Sequence, residues 1–170
     1  MIPKIEVSGD KTGATPETKQ QTLDMTDESS NIDSPTAKKF KEQVIDKGYT
    51  YEMGAKGVDK EKSIDCSGAV CKVFDIKNPQ ANNSAQHFHN KSNSVEEKEL
   101  KDGDIITMNT EGSKIDHIGL IVIDSKTKEK YIAESSKSFN SGKIVPLNQR
   151  LDSLKTKYPD MKYYFRRLKS

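Results

Sequence analysis

A cysteine and a histidine in this 170-residue sequence stand in patterns that suit thiol chemistry. Cys66 lies in the run Asp-Cys-Ser-Gly at residues 65–68, and His117 begins the apolar run His-Ile-Gly-Leu-Ile-Val-Ile at 117–123. A free thiol has a pKa of about 8.5, so it needs a nearby base or positive charge to become the reactive thiolate at neutral pH. A thiol and an imidazole together perform acyl transfer through a thioester. This pair therefore predicts a thiol hydrolase if the fold brings the two residues together.

The residues around Cys66 predict a helix over 66–75 with the thiol on its first turn. Asp65 and Ser67 are of the types that suit a helix N-terminus. The positive end of the helix dipole stabilises a thiolate, and the unpaired N–H groups there can bind a developing oxyanion. Ser67 is therefore a candidate for oxyanion or substrate binding. The apolar residues that follow share one helical face, namely Ala69, Val70, Val73 and Phe74.

Either residue alone would more often be structural, because a lone cysteine before an amphipathic helix is usually a buried apolar residue. Four ordered motifs favour the chemical interpretation. Tyr-Glu-Met-Gly stands at 51–54, Asp-Cys-Ser-Gly at 65–68, Leu-Lys-Asp-Gly-Asp at 100–104 and His-Ile-Gly at 117–119. This order closely resembles the NlpC/p60 family of cell-wall cysteine peptidases, over about residues 38–135. The resemblance implies a papain-like fold, a peptidoglycan substrate, and no cofactor or metal.

The third catalytic position departs from the family pattern. The family commonly has a second histidine in the strand after the His-x-Gly strand, whereas this sequence has Glu134 in Tyr-Ile-Ala-Glu-Ser-Ser at 131–136. A carboxylate there resembles the glutamate of the related CHAP amidases, and it would hold the tautomer and orientation of His117. The alternative is that Glu134 is only a polar residue at a strand end.

Two further residues are candidates for contact with the substrate. Tyr51 matches the family's tyrosine, whose hydroxyl is expected near the oxyanion, and Tyr49 could take that role if the register is shifted. Gln86 lies in a polar segment where the family often has substrate-lining residues, and its amide could bind a stem peptide. His87 and His89 flank an aromatic residue there and could ligate a metal. No third or fourth ligand is evident nearby, so a solvated loop is the preferred interpretation.

The elements that must position these residues are predicted as helices followed by strands. Helices are expected at 36–47, 66–75 and near 83–89. Strands are expected at 104–109, 116–124, 129–135, 143–146 and 161–167, with a helix at 147–156 before the last strand. This order predicts an α+β fold of the papain-like type, in which the N-terminus of the nucleophile helix meets a small curled antiparallel sheet.

Composition indicates one domain with a polar lead-in. Only 32% of the residues are hydrophobic, and this deficit is concentrated near the N-terminus. We therefore predict a flexible lead-in over 1–35 and a catalytic domain over 36–170. The 28 basic and 26 acidic residues give a net charge of +2, which is not a nucleic-acid-binding signature. Cys66 and Cys71 are poorly placed to form a disulfide, and a monomer is expected.

The first residues lack the basic segment and apolar run of a signal peptide, and no apolar stretch could span a membrane. We expect a protein made in the cytoplasm that acts at the bacterial cell wall, after secretion or delivery to the periplasm. It could be an excised domain, a phage component or an antibacterial effector. The effector, which resembles the small amidase effectors of type VI secretion systems, is preferred because the polar lead-in and the compact single domain without wall-binding repeats fit a delivered toxin. That analogy adds an immunity protein as a partner.

The resulting functional hypothesis is hydrolysis of an amide in the peptidoglycan stem peptide, with Cys66 as nucleophile, His117 as proton carrier and Glu134 as its orienting group. The favoured bond joins γ-D-glutamate to the diamino acid. Alternatives within the enzyme class are an N-acetylmuramoyl-L-alanine amidase and a cross-bridge-cutting enzyme of a phage or of wall remodelling. A peptidase or transferase acting on host proteins is a further alternative. The alternative from another class is a catalytically idle wall-binding module.

Overall fold

The structure is a computed structural model that describes residues 25–58 and 61–169. Its strands are β1 (Thr50–Tyr51), β2 (Ser63–Ile64), β3 (Ser92–Ser94), β4 (Ile105–Asn109), β5 (His117–Ile123), β6 (Lys130–Ser136), β7 (Ser141–Pro146) and β8 (Lys162–Leu168). They form one sheet in the order β2-β1-β7-β6-β5-β4-β8-β3. All neighbouring strands are antiparallel except β1 and β2, which are parallel.

The α-helices are α1 (Pro35–Phe40), α2 (Cys66–Val73), α3 (Ala85–Asn90) and α4 (Leu147–Lys157). The first of them continues as a π-helix over Lys41–Ile45. Ser34 caps α1 by accepting a hydrogen bond from the N–H of Ala37, and the proline that follows suits the first helical position. Within the described ranges, no helix is long and apolar enough to span a bilayer. The α+β architecture predicted from the order of elements is confirmed.

Helices cover both faces of the sheet, which explains why the central strands are almost entirely buried. Along β5, Ile118 and Leu120 pack in one apolar cluster with residues of α1 and α2. Ile121, on the opposite face, packs in a second cluster with residues of α4. Side chains alternate between the faces of a strand, so β5 contributes to both clusters. The helices α2 and α4 therefore lie on opposite sides of β5.

The Leu-Lys-Asp-Gly-Asp motif holds the turn that leads into β4. The carboxylate of Asp102 accepts hydrogen bonds from the hydroxyl of Ser34 at 2.6 Å and from the N–H of Thr36 at 3.2 Å. Buried Asp104 accepts two hydrogen bonds from the guanidinium of Arg167, at 2.8 and 2.9 Å. The two aspartates thus join the turn to α1 and to the last strand. The hydrogen bonds of this motif therefore fix the turn from which β4 begins beside β5.

Part of the predicted lead-in contacts the sheet. The N–H of Glu28 donates to the carbonyl of Ile144 at 2.8 Å, and the N–H of Ile144 donates to the carboxylate of Asp27 at 2.9 Å. Residues 1–24 of that lead-in lie outside the described residues. The boundary at residue 36 stays a prediction, and hydrogen bonding to β7 already begins upstream of it.

Candidate active site

Cys66 is the first residue of α2, as the sequence predicts, and its surroundings follow from the motif that contains it. Asp65 is the N-cap, and its carboxylate accepts the N–H of Gly68 at 2.6 Å. A Cβ on Gly68 would lie 2.8 Å from a side-chain carbon of Ile64, so this close packing requires a glycine. Because Asp65 takes the N–H of Gly68, the N–H groups of Cys66 and Ser67 are left as donors at the positive end of the helix.

The ring of His117 lies between the thiol of Cys66 and the carboxylate of Glu134. Its Nε2 is 2.6 Å from Oε1 of Glu134, which leaves Nδ1 for the hydrogen bond with the sulfur. Burial alone would lower the pKa of His117. The hydrogen bonds and negative charges of Cys66 and Glu134 outweigh that effect and raise the pKa to about 10. At neutral pH the imidazole therefore carries a proton that it can give to a leaving group.

Glu134 lies in β6 with a completely buried side chain, and it is held by Arg150 from α4. The Nε of Arg150 donates to Oε2 at 2.6 Å, and Nη2 donates to Oε1 at 3.1 Å. Burial would raise the pKa of Glu134, but the guanidinium and then His117 lower it to about 2. Arg150 is itself only 2% exposed, and its guanidinium lies 4.5 Å from the ring centroid of Phe139. The carboxylate of Glu134 is thus ionised and held in place by Arg150 and His117, unlike an exposed polar residue at the end of a strand.

Arg150 is a residue that the sequence analysis missed. It occupies a helix whose buried residues are Leu147, Arg150, Leu151 and Leu154. These positions recur at the three- and four-residue spacing of one helical face. A single arginine on an otherwise apolar face is rarely buried without a partner. The position of Arg150 on this apolar helical face is the sequence feature that could have predicted a buried ion pair.

Tyr51, at the end of β1, is the tyrosine near the nucleophile. Burial and then the charges of Cys66 and Asp65 raise the pKa of its hydroxyl to about 12, so it stays protonated and can donate a hydrogen bond. Tyr49 is engaged elsewhere, since its hydroxyl donates to the carbonyl of Gly57 at 3.2 Å. The shifted register that would have placed Tyr49 at the site does not occur.

The hydroxyl of Ser67 is part of a buried polar cluster on one side of the nucleophile. The ammonium of Lys56 lies 3.0 Å from each carboxylate oxygen of Asp65 and 2.5 Å from Oγ of Ser67. The side chain of Ser67 is therefore already paired, and its backbone N–H is the group left for the predicted oxyanion role. Lys56 is the second residue that the sequence analysis missed, because nothing in the local pattern separates it from the other lysines of the chain.

Gln86 lies in α3, where both ends of its amide contact the protein. Its Oε1 accepts the N–H of Ile115 at 3.0 Å, and its Nε2 donates to the side chain of Asn90 at 3.0 Å. Ile115 is two residues before His117, so the glutamine anchors the segment that leads to β5. In the structure Gln86 supports the segment before β5. Its contact with a stem peptide stays a prediction.

His87 and His89 lie in the short helix α3, as the helix predicted near 83–89 implies, so the interpretation as a loop was wrong, although His87 is exposed to solvent. The hydroxyl of Ser84 accepts the N–H of His87 and caps the helix, while buried Phe88 anchors it to the core. Nδ1 of His89 is 2.7 Å from the hydroxyl of Thr107. In the part of the chain that the structure describes, no group of three or more His, Cys, Asp or Glu residues could hold a metal ion.

A model of the NlpC/P60 family matches residues 48–167 of the chain. This range contains the cysteine, the histidine, the glutamate and the arginine described above. No curated protein sequence matches the chain.

Several solved structures share the fold at low sequence identity. An NLP/P60-family, lipoprotein-like protein of Staphylococcus aureus aligns with a TM-score of 0.55 and 16% identity, covering 96% of this chain and 45% of that one. NlpC1 of Trichomonas vaginalis aligns with a TM-score of 0.56 and 18% identity, over 86% of this chain and 45% of that one. The peptidoglycan hydrolase RipB of Mycobacterium tuberculosis aligns with a TM-score of 0.51 and 18% identity, covering 98% of this chain and 75% of that one. The chain thus spans less than half the length of the first two.

Proposed function

The chain belongs to the NlpC/P60 family, and we propose that it is a thiol hydrolase that cuts an amide bond in the stem peptide of peptidoglycan. The observation that carries this proposal is the contact of Cys66, at the start of a helix, with His117, whose other nitrogen is 2.6 Å from Glu134. The similar structure from Mycobacterium tuberculosis is described as a peptidoglycan hydrolase, which supports the choice of substrate.

In the first half of the proposed reaction, the sulfur of Cys66 attacks the carbonyl carbon of the scissile amide. The raised pKa of His117 keeps its ring protonated at neutral pH, so Nδ1 already holds the proton of the thiol when the sulfur attacks. The N–H groups of Cys66 and Ser67, with the hydroxyl of Tyr51, stabilise the oxyanion. His117 then protonates the leaving amine, the C–N bond breaks, and a thioester remains on Cys66.

In the second half, water attacks the thioester carbonyl and His117 accepts a proton from that water. The C–S bond breaks, the carboxylate product leaves, and the thiol is regenerated. Glu134 keeps Nε2 of His117 protonated and the ring oriented through both halves. Arg150 holds Glu134 without touching the reacting atoms, so it is a positioning residue.

The bond we favour joins γ-D-glutamate to the diamino acid, as the family resemblance implies. Cleavage between muramic acid and L-alanine, or within a cross-bridge, would use the same residues with a different placement of the substrate. The delivery route, the role as an antibacterial toxin and the immunity partner stay predictions of the sequence analysis.

The test is incubation of the protein with purified muropeptides under reducing conditions, with the products identified by mass spectrometry. The Cys66→Ala variant should lose at least about 10⁴-fold in rate, because the nucleophile is gone. Cys71→Ala is the matched control and should keep its activity. Cys71 is buried in the same helix, and burial raises the pKa of its thiol to about 11, which leaves it unreactive at neutral pH.

Fragment masses would name the cleaved bond and so decide among the three wall-cutting alternatives. Intact muropeptides after incubation with folded, reduced protein would overturn the proposed function. Cleavage that survives in the Cys66→Ala variant would overturn the thiol mechanism. Wall binding without cleavage in both proteins would favour the idle binding module.

A further inference from the structure

Lys56 is a buried lysine that the proposed reaction does not use. Its side chain is 10% exposed, and its ammonium donates to both carboxylate oxygens of Asp65 at 3.0 Å and to Oγ of Ser67 at 2.5 Å. An ammonium has three N–H donors, and these three acceptors use all of them. Lys56 therefore has no N–H left for a substrate, and any role in the reaction must pass through Asp65 and Ser67.

The carboxylate of Asp65 is held by four hydrogen bonds. Besides the two from Lys56, its Oδ1 accepts the hydroxyl of Ser67 at 3.3 Å and the N–H of Gly68 at 2.6 Å. The hydroxyl of Ser67 thus accepts from the ammonium and donates to the carboxylate, so a hydrogen-bonded cycle joins the three side chains. A satisfied buried polar network of this kind is rigid. Because Asp65 and Ser67 lie on either side of Cys66 in the sequence, the cycle fixes the first turn of α2.

The backbone around Lys56 links this turn to the strand of Tyr51. The N–H of Asp65 donates to the carbonyl of Ala55 at 2.7 Å, and Lys56 forms an antiparallel bridge with Ile64. Ile64 in turn pairs with Tyr51 in the register of β1 and β2. The proposed oxyanion donors come from Tyr51 and from the first turn of α2. Lys56 is therefore tied to both sources of those donors.

The charge of Asp65 acts on the groups around it, and the charge of Lys56 opposes it. Burial raises the pKa of the Cys71 thiol to about 11, while Lys56 lowers this pKa and Asp65 raises it. Asp65 also raises the pKa of Tyr51, after burial and the charge of Cys66. A carboxylate one residue before a nucleophile disfavours the thiolate by repulsion, and an ammonium in contact with that carboxylate offsets the repulsion.

We propose that Lys56 is a positioning residue of the thiol site, whose ammonium holds the carboxylate of Asp65 and offsets its charge. The sulfur of Cys66 then attacks as a thiolate, and the N–H donors of the first turn of α2 stay aimed at the oxyanion. This inference rests on the proposed function. Lys56 itself does not touch the reacting atoms.

Other titratable groups also face the thiol of Cys66. Among the described residues, His117 faces it from β5, with Glu134 of β6 on the other side of the ring, and Tyr51 faces it from β1. Asp65 is the charged neighbour on its own helix. All the groups on other elements are kept in the variants described below, so a change in the reactivity of Cys66 reports on Lys56 and Asp65.

The first test measures the alkylation rate of Cys66 by iodoacetamide as a function of pH. The Cys71→Ala background leaves Cys66 as the only cysteine of the chain, and the rate follows its thiolate. In Lys56→Met the charge of Asp65 is no longer offset, so the midpoint of the profile should rise by about one pH unit. Lys56→Met, Asp65→Asn removes both charges and keeps a capping side chain, so the midpoint should return close to its original value.

The second test measures the cleavage of muropeptides by the Lys56→Met variant. We expect kcat to fall about tenfold with KM changed by less than about threefold, because oxyanion donors act in the transition state. The matched control is Lys39→Met. Lys39 is paired with Asp75, which lies beyond the C-terminal end of α2, so this variant loses the same charge away from Cys66. It should change neither kcat nor the alkylation midpoint.

The outcomes separate this inference from the proposed function. An unchanged midpoint in folded Lys56→Met, or a rise that Asp65→Asn does not reverse, would overturn the role of Lys56 while hydrolysis stands. A rise in KM without a fall in kcat would also overturn it, because it would indicate contact with the substrate. Alkylation as expected in a protein that leaves muropeptides intact would overturn the proposed function and support the role of Lys56 at the thiol.

A further comparison decides the matter if Lys56→Met does not fold. Asp65→Asn alone leaves the ammonium of Lys56 without its carboxylate, so its alkylation midpoint should lie below that of Lys56→Met, Asp65→Asn. Equal midpoints in these two variants would show that the charge of Lys56 does not act on Cys66, and would overturn the inference.

Discussion

Two histidines in this chain lie against the same sheet in opposite electrostatic surroundings. His117 contacts the carboxylate of Glu134, and its pKa is raised to about 10. His89 contacts the hydroxyl of Thr107 instead, and burial together with the positive charge of Arg166 lowers its pKa. At neutral pH the first ring is charged and the second is neutral.

Each histidine has an arginine nearby, and the position of that arginine explains the difference. Arg150 binds the far side of Glu134, so a negative charge lies between the guanidinium and the ring of His117. Arg166 donates to the backbone carbonyl of His89 at 3.0 Å, with no carboxylate between them. Arg150 thus favours the protonated form of His117 through the acid that lies between them, whereas the direct proximity of Arg166 disfavours the protonated form of His89. This electrostatic difference separates the proposed proton carrier, His117, from His89, whose ring has a structural contact with Thr107.

The largest expected effect comes from removing each ring in turn. His117→Ala should lower the rate of muropeptide cleavage by about 10³-fold or more, because the thiol loses its base and the leaving amine its acid. His89→Ala should change the rate by less than about threefold, since its ring contacts Thr107 and Tyr164, which lie outside the proposed site. The measurement is kcat/KM of both purified variants. Comparable losses in two folded variants would contradict the division of roles.

The next largest effect is on stability and compares the two arginines. Arg150→Met leaves the buried carboxylate of Glu134 without its cation, so unfolding in urea should show a loss of about 3–5 kcal/mol. Arg166→Met removes hydrogen bonds to partly buried groups and should cost about 1–2 kcal/mol. Arg150→Lys, which keeps the charge without the paired N–H groups, should lie between them. Equal losses for the two methionine variants would contradict the comparison.

Unfolding at low pH provides a further test of the role of Arg150. The pKa of Glu134 is lowered from 4.5 to about 2, so its contribution to stability is present above pH 4.5 and is lost as the pH falls towards 2. That shift corresponds to about 3 kcal/mol. In Arg150→Met the pKa of Glu134 rises, and the acid-dependent loss should shrink. A loss of unchanged size in the variant would show that Arg150 does not hold Glu134 in its ionised form.

The smallest expected effect is on the titration of His89. In the unmodified protein, its ring signals in NMR spectra should titrate below pH 6.5, because burial and Arg166 both disfavour the charged form. Arg166→Met should raise this pKa while leaving the high pKa of His117 in place. A shift of His117 in the same variant would mean that the two regions are coupled through the sheet.

The sequence predicted the regular elements well where the pattern was long. The apolar runs that became β5 and β6 were placed within one residue of their observed ends, since a buried central strand is marked by its composition. The strands β1, β2 and β3 were missed because two or three residues are too few to show a periodicity. The predicted helix at 147–156 was correct, yet its buried arginine was overlooked because its partner lies on another element.

The sequence by itself determined the fold class, the helix that begins at Cys66 and the strand that begins at His117, because these depend on local pattern and on short motifs. Only the tertiary structure decided that the ring of His117 meets Glu134 and that Arg150 covers the same carboxylate. It also decided that Lys56 reaches Asp65. These contacts join separate elements, so they depend on strand register, helix position and side-chain rotamer. No local pattern in the chain encodes those three quantities.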